Sequence, residues 1–465
     1  MRITFFIAAI ALIFAPASAF GDDFAIAPFL TNVTTSSIDV CFHAEFDLPA
    51  TIHYGPSADY ESQVAVSGEP YDALMGVYTY FGDPAYEQVG RYSYCGRIEG
   101  LEPDALYHYS VQFGTAQSPD HEFATAPPAG NPFAFVVYGD SRSDPLYPLG
   151  VPNRFHEAVI ERMKQYPFDF FINVGDIVHD GYDTLLWDII FETISPISSE
   201  FAFYPVFGNH ERRNELEVRG ENLYSALFSN PGEASGSGNE LYYSFDYCNA
   251  HYTVLDTNTD IDPDSVQGQW MRADLEAANN NPDIRWKFMF MHHPPYSSSL
   301  VGIGDERQRV ARQYIPTIAE EFGVAIVFAG HQHAYERSFK DGVYYITTGN
   351  GGALPSFVQA PVLNQYTQFF DGNFNFSHFG FCQLDIADDY LAFQSVIASG
   401  IVIDEFEIGD APPDDDDADD DLDDDAANDD VDDDASDDDA GTDDDSDQNQ
   451  ASDDDDDDDE GGCGC

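Results

Sequence analysis

Positive charge is scarce in this 465-residue chain: 18 lysines and arginines stand against 85 aspartates and glutamates, a formal net charge of −67. Binding to a nucleic-acid backbone needs clustered Lys and Arg, so no nucleic-acid partner is expected. Part of the imbalance is local. Asp414 to Glu460 holds 30 acidic residues and no basic one, which leaves 55 acids against the same 18 bases elsewhere, still a net of −37. Such a surface suits a saline or calcium-rich setting and repels anions at long range. Over more than about 8 Å, however, physiological salt screens it, and bound cations act at contact distance.

Long apolar runs are also missing. Apart from the N-terminus, no segment approaches the roughly 20 apolar residues that span a bilayer, and Ile3 to Phe14 is itself too short. Arg2, that stretch and Ala17-Ser18-Ala19 read as a signal peptide over residues 1–19, cut before Phe20. The expected location is therefore secreted, periplasmic or cell-surface, without a transmembrane segment. Cysteines number six, and export permits disulfides. Cys41, Cys95, Cys248 and Cys382 allow three connectivities; pairing 41 with 95 and 248 with 382 needs no bridge between domains, and buried free thiols are the alternative. No G-x-S-x-G elbow occurs, which argues against a serine hydrolase.

Residues 20–126 read as short alternating strands (SSIDVCFHAEF, ATIHYG, YSYCGRIEGL, ALYHYSVQFG, HEFATAPP) with turn signals between them and no amphipathic helix. That predicts an all-β sandwich, and GLEPDALYHYSVQF resembles the corner of a fibronectin type III domain. His43, His53, His108 and His121 share no ligand spacing and read as ordinary strand residues. After the Pro-rich linker Ala126 to Pro132, strands alternate with helical stripes: Phe155, Ala158, Val159 and Met163, then 184–194, 265–279 and 305–322. Alternation of this kind predicts an α/β domain over residues 132–408. From 411 to 465 the chain has almost nothing to bury and is expected to be a disordered Asp-rich spacer, with weak calcium binding as a second reading. It ends in GGCGC, which resembles Cys-containing surface-sorting ends but lacks their apolar helix and Arg cluster.

Within the α/β part, five apolar runs end abruptly in a metal-binding side chain. They are FAFVVYGD at Asp140, DFFINVGD at Asp176, FYPVFGNH at Asn209 and His210, KFMFMHH at His292 and His293, and AIVFAGHQH at His331 and His333. A continuous apolar run marks a strand buried on both faces, and ligands of open α/β sheets collect where such strands stop. Carboxylates, an amide and imidazoles without a thiolate suit two hard or borderline cations such as Fe, Zn or Mn.

The ordered set GD, GD, GNHE, MHHPP and GHQHAYERS resembles the calcineurin-like metallophosphoesterases, and within them the purple acid phosphatases and their bacterial relatives. An N-terminal fibronectin-like domain fits the same family. The resemblance implies a catalytic domain built as a β-sheet sandwich flanked by helices, and a dinuclear centre. Asp140 and His333 would serve the first ion, Asp176 would bridge, and Asn209, His292 and His331 would hold the second. A hydroxide between the ions would attack a phosphate monoester in line. His210 would touch phosphate or protonate the leaving oxygen, and His293 would be a substrate-binding residue at the rim or else a structural one. Tyr335, Glu336 and Arg337 would brace their loop.

Three positions depart from the family pattern. His179 replaces the metal-bound Tyr that colours purple enzymes, so a colourless or pale protein with His179 on the first ion is expected. Arg142 stands where the family has Gly or His and would clamp the phosphate, or else form a surface salt bridge. The His that often follows HHPPYSS is absent, with Val301 or its neighbours there. Diester or nucleotide hydrolysis is the alternative activity, and a catalytically idle cation-binding surface protein the alternative class.

Overall fold

The computed structural model describes residues 24–78, 85–143, 150–212, 217–299, 304–355, 364–371 and 377–411, without the side chains of 217–221. The predicted signal peptide, the acidic tail from 412 with its GGCGC end, and Val301 lie outside the described residues. Among the described residues no helix is long and apolar enough to cross a membrane.

The apolar runs fold as expected for strands covered on both faces. Phe133–Tyr138, Phe170–Asn173 and Ala202–Pro205 are buried at every position and lie side by side in parallel. They form the centre of a ten-stranded sheet, flanked on one side by the antiparallel strands Gly380–Ala387, Tyr390–Ile397 and Val402–Ile408. A second, seven-stranded sheet carries Ala250–Val254, Trp286–Phe290, Ile326–Ala329 and Val343–Thr348 in parallel at its centre. The two sheets face each other across aromatic side chains. Phe135 meets Tyr252 and Phe288 at 5.3 Å, and Tyr204 stacks on Phe245 at 3.8 Å. Each such pair adds about 0.5–1.5 kcal/mol beyond the area it buries.

Helices cover the outer faces. Arg154–Met163 and Thr184–Ser198 pack on the ten-stranded sheet, burying Val159, Met163, Trp187 and Ile194. Val266–Asn280 and Glu306–Glu321 pack on the other with Met271, Leu275 and Ile315. Asn153, Asp183, Ser265 and Asp305 precede these four helices and accept from first-turn backbone N–H groups, so their starts are set by capping as well as by the apolar stripe.

Residues 24–124 contain strands and no helix, arranged as two layers. One layer is continuous with the ten-stranded sheet, because Phe24–Thr31 adds in parallel to Ala202–Pro205 through Leu30 and Ala202. The sequence pattern read Tyr92–Leu101 as a strand but missed Glu69–Val77 and the first half of Ala85–Glu99, which form a hairpin whose mixed polar residues mostly face solvent. His43, far from any ligand set, is buried against the Leu227 carbonyl and the Tyr71 hydroxyl.

Cys41 and Cys95 face each other across paired strands and are disulfide-bonded. Cys248 and Cys382 are free, so the expected second bridge is not made. Cys382 pairs with Val137, whereas Cys248 sits by the Asn131 carbonyl at the start of the neighbouring strand. Asn131 lies two residues ahead of that strand, and the stretch Phe133 to Val137 alone spans about 13 Å, well beyond disulfide reach.

Candidate metal centre

All five strand-end motifs meet at one edge of the two sheets. Asp140, Asp176 and His331 adopt left-handed backbone angles (φ 55°, 53° and 67°), which non-glycine residues hold only where surrounding contacts compel them. The carboxylates of Asp140 and Asp176 and the ring of His292 are buried and offer ligand atoms that all lie within 4.8 Å of one another. Asp176 is central: its Oδ1 lies 3.2 Å from His292 Nε2 and accepts the His210 backbone N–H at 2.9 Å.

The imidazoles are oriented by what their far nitrogens do. His292 Nδ1 donates to the Val174 carbonyl at 2.9 Å, His333 Nδ1 to the Leu354 carbonyl at 2.5 Å, and His331 Nε2 to Asp305 Oδ2 at 2.8 Å. A neutral imidazole has one N–H, so the opposite nitrogen of each ring presents a lone pair. Those lone pairs face oxygens. His292 Nε2 and His331 Nδ1 lie 3.0 and 2.8 Å from Asn209 Oδ1, and His333 Nε2, which also meets the Arg142 guanidinium at 3.4 Å, lies 3.3 Å from Asp140 Oδ1, a buried oxygen that accepts no hydrogen bond among the described residues. Lone pair against lone pair is repulsive unless a proton or a cation lies between them. The donor set and this arrangement fit cations.

The protonated alternative is visible in His292. Burial opposes its charge, but Asp176 overrides that and pushes its pKa up to about 9. Burial likewise opposes the charge of Asp176, yet chiefly His292, with Arg142 contributing, holds its carboxyl well below the usual range. His210 has lost that contest: burial pulls it down to about 3. Its Nδ1 donates to the His179 carbonyl at 2.7 Å, leaving Nε2 3.8 Å from Asp176 Oδ2.

The remaining expected residues take varied places. His179 is buried with its ring 5.1 Å from that of His210, and lies outside both groups of clustered ligand atoms. Arg142 is not on the surface: at 7 % exposure its Nε is 3.5 Å from Asp176 Oδ2 and its terminal nitrogen 3.4 Å from His333 Nε2. His293 is buried against Thr257 Oγ1 at 2.8 Å and joins Asp305 and His331 in the second such group. Tyr335 and Arg337 turn to Asp404, and Glu336 accepts from Ser298, Asn364 and Thr367, so this trio braces its loop.

Two carboxylates escaped the sequence reading. Glu211 accepts four backbone N–H groups, from Asp176, Ile177, Val178 and Gly208, at 2.8–3.0 Å and so ties two ligand loops together. Asp305, which fixes the His331 tautomer, is the N-cap of the helix Glu306–Glu321 and was read only as the start of an apolar stripe.

Residues 150–335 match the family described as Calcineurin-like phosphoesterase, a span that starts after Asp140 and Arg142. Probable purple acid phosphatase 20 of Arabidopsis thaliana is 30 % identical over 268 residues, 55 % of this chain and 60 % of that protein. Purple acid phosphatase 18 of the same plant is 29 % identical over 61 % of this chain and 64 % of its own length. The chain thus spans about three-fifths of these curated relatives. Among solved structures, purple acid phosphatase PPD1 from yellow lupin (Lupinus luteus) seeds superposes with a TM-score of 0.68 at 21 % identity, over 82 % of this chain and 73 % of that one. PhoD gives 0.59 at 12 %, over 83 % and 94 %. The strand-end constellation, the matched span and these likenesses agree: the chain carries a calcineurin-like phosphoesterase domain and is a homologue of the purple acid phosphatases.

Proposed function

We propose that the protein is an exported hydrolase of small phosphate monoesters that works with two metal ions, Fe, Zn or Mn. The observation that carries this reading is the set of imidazole lone pairs turned toward the Asp176 and Asp140 carboxylates and the Asn209 amide oxygen. Asp140, His333 and His179 would hold one ion; Asn209, His292 and His331 would hold the other; Asp176 would bridge. When bound, the cations supply Lewis-acid charge for the phosphoryl oxygens and activate water.

The chain's own groups do the rest. Arg142 is buried beside Asp176 and His333, where a guanidinium can pair with phosphoryl oxygens and hold the ester in line. His210 is held by the His179 carbonyl so that its Nε2 lies 3.8 Å from Asp176 Oδ2, where it would touch phosphate or, once it has taken up a proton, pass that proton to the leaving oxygen. His293, fixed by Thr257, borders the same space.

The test is metal analysis of purified protein together with hydrolysis of an aryl phosphate and the matching bis-aryl phosphate, before and after chelation. Two metal equivalents, chelator-sensitive activity and preference for the monoester are expected; faster diester hydrolysis would shift the substrate class. No hydrolysis of either ester by metal-loaded protein sinks the proposal. With His179 in place of a tyrosinate, no intense visible charge-transfer band is expected.

A further inference from the structure

The loop after Asp176 is gripped from the side of the all-β region. Asp183 is fully buried. Its Oδ1 accepts the Leu185 N–H at 3.0 Å, which caps the helix Thr184–Ser198, and also the Gly76 N–H at 2.8 Å. Its Oδ2 accepts the Tyr78 hydroxyl in a short hydrogen bond. Capping alone needs only the first of these contacts. Leu74 forms a β-bridge with Asp183, and Tyr86 meets Tyr182 hydroxyl to hydroxyl at 3.3 Å. The fit leaves no slack: a Cβ on Gly76 would lie 2.2 Å from Asp183 Oδ2.

The same loop touches the metal centre on its other side. Gly181 N–H donates to the His210 carbonyl at 3.0 Å, and His210 Nδ1 donates back to the His179 carbonyl at 2.7 Å. A Cβ on Gly181 would lie 1.9 Å from the Glu211 carbonyl oxygen, so the two backbones are in direct contact. Residues 179–183 are therefore stapled between the hairpin Glu69–Val77/Ala85–Glu99 and the segment Asn209–Arg212. We propose that this hairpin, through Gly76 and Tyr78 on Asp183, positions the His179 loop and with it the His210 imidazole. This gives the all-β region a part in the site without any contact to substrate, and makes Tyr78 and Asp183 positioning residues. It rests on the reading of His179 and His210 as members of a working metal centre.

Hydrogen exchange of the full-length, zinc-loaded protein, followed at Gly181 and at the distant strand Ile326–Ala329, tests the grip, alongside aryl phosphate kinetics and zinc content. For Tyr78→Phe the Gly181 amide should exchange about tenfold faster and kcat should fall about tenfold, the scale set by losing one hydrogen bond to a buried carboxylate. KM should stay within about twofold, since no group that touches substrate is removed. Zinc content and exchange in Ile326–Ala329 should not change. Gly76→Ala should reproduce the effect, while the exposed hairpin variant Glu87→Ala should match wild type in every readout. Unaltered Gly181 exchange in both Tyr78→Phe and Gly76→Ala overturns the proposal. So does a loss of protection that spreads equally to Ile326–Ala329, which would make the contact a general stabiliser. If wild-type protein hydrolyses no phosphate ester, the phosphatase reading fails by itself, and the exchange arm still decides whether the loop is held.

Discussion

Asp176 and Glu211 divide the work of the site between charge and geometry. Asp176 receives His292, Arg142 and the His210 backbone N–H, so its carboxylate belongs to every subsite at once. Asp176→Asn halves its charge-donating oxygens; we expect kcat to fall by at least about a thousandfold and at least one metal equivalent to be lost, read by metal analysis and aryl phosphate turnover. Glu211 serves four backbone N–H groups. Glu211→Ala strands these donors in a buried site, and urea unfolding should show a loss of about 3–5 kcal/mol. The letter after GNH was visible in the sequence. Its role was not, because three of the four donors it satisfies lie some 35 residues away in another loop.

Single elements carry two further measurable devices. His251 in the strand Ala250–Val254 is buried between Asp246 on the neighbouring strand and Asp274 on the helix Val266–Asn280. Burial disfavours its charge, but the two carboxylates overcome this and raise its pKa to about 9. The folded ring holds its proton more tightly than the unfolded chain does. The resulting stability is therefore complete below about pH 6.5 and disappears as the pH rises through about 9, an amount on the order of 2–3 kcal/mol. Urea unfolding at pH 6 and pH 9.5 should show this loss in wild type and not in His251→Asn; equal slopes would refute it. The Cys41–Cys95 bond closes a loop of sequence separation 54, and replacing both cysteines by serine should cost about 2–4 kcal/mol in the same assay. Cysteine positions alone left the pairing open, since sequence distance does not say at which level of a strand each thiol sits.

At the scale of the molecule, charge works against the proposed catalysis. A phosphate ester approaches a surface that is net −37 even without its tail. Raising ionic strength shortens the reach of that repulsion, so KM for an anionic ester should fall severalfold between about 0.01 and 0.3 M salt while kcat holds. A KM that rises steadily with salt would mean that the field at the site entrance is positive instead. All three hydrophobic clusters of the described residues lie within residues 24–408, from which removal of residues 412–465 is expected to leave thermal unfolding unchanged.

The sequence by itself determined the strand ends and the donors on them. A run such as FAFVVYGD encodes, within eight residues, both a strand buried on two faces and the polar group where it stops. Helix starts were likewise written locally, in capping residues ahead of apolar stripes. Only the tertiary structure decided which lone pairs face one another, that Glu211 ties two ligand loops, that Cys248 and Cys382 stay apart, and that Phe24–Thr31 adds to the same sheet as the strands ending at Asp140 and Asp176. The physical reason is range: strand and helix signals are short periodicities along one segment, whereas tautomers, thiol distances and sheet junctions depend on groups that folding brings together from distant parts of the chain.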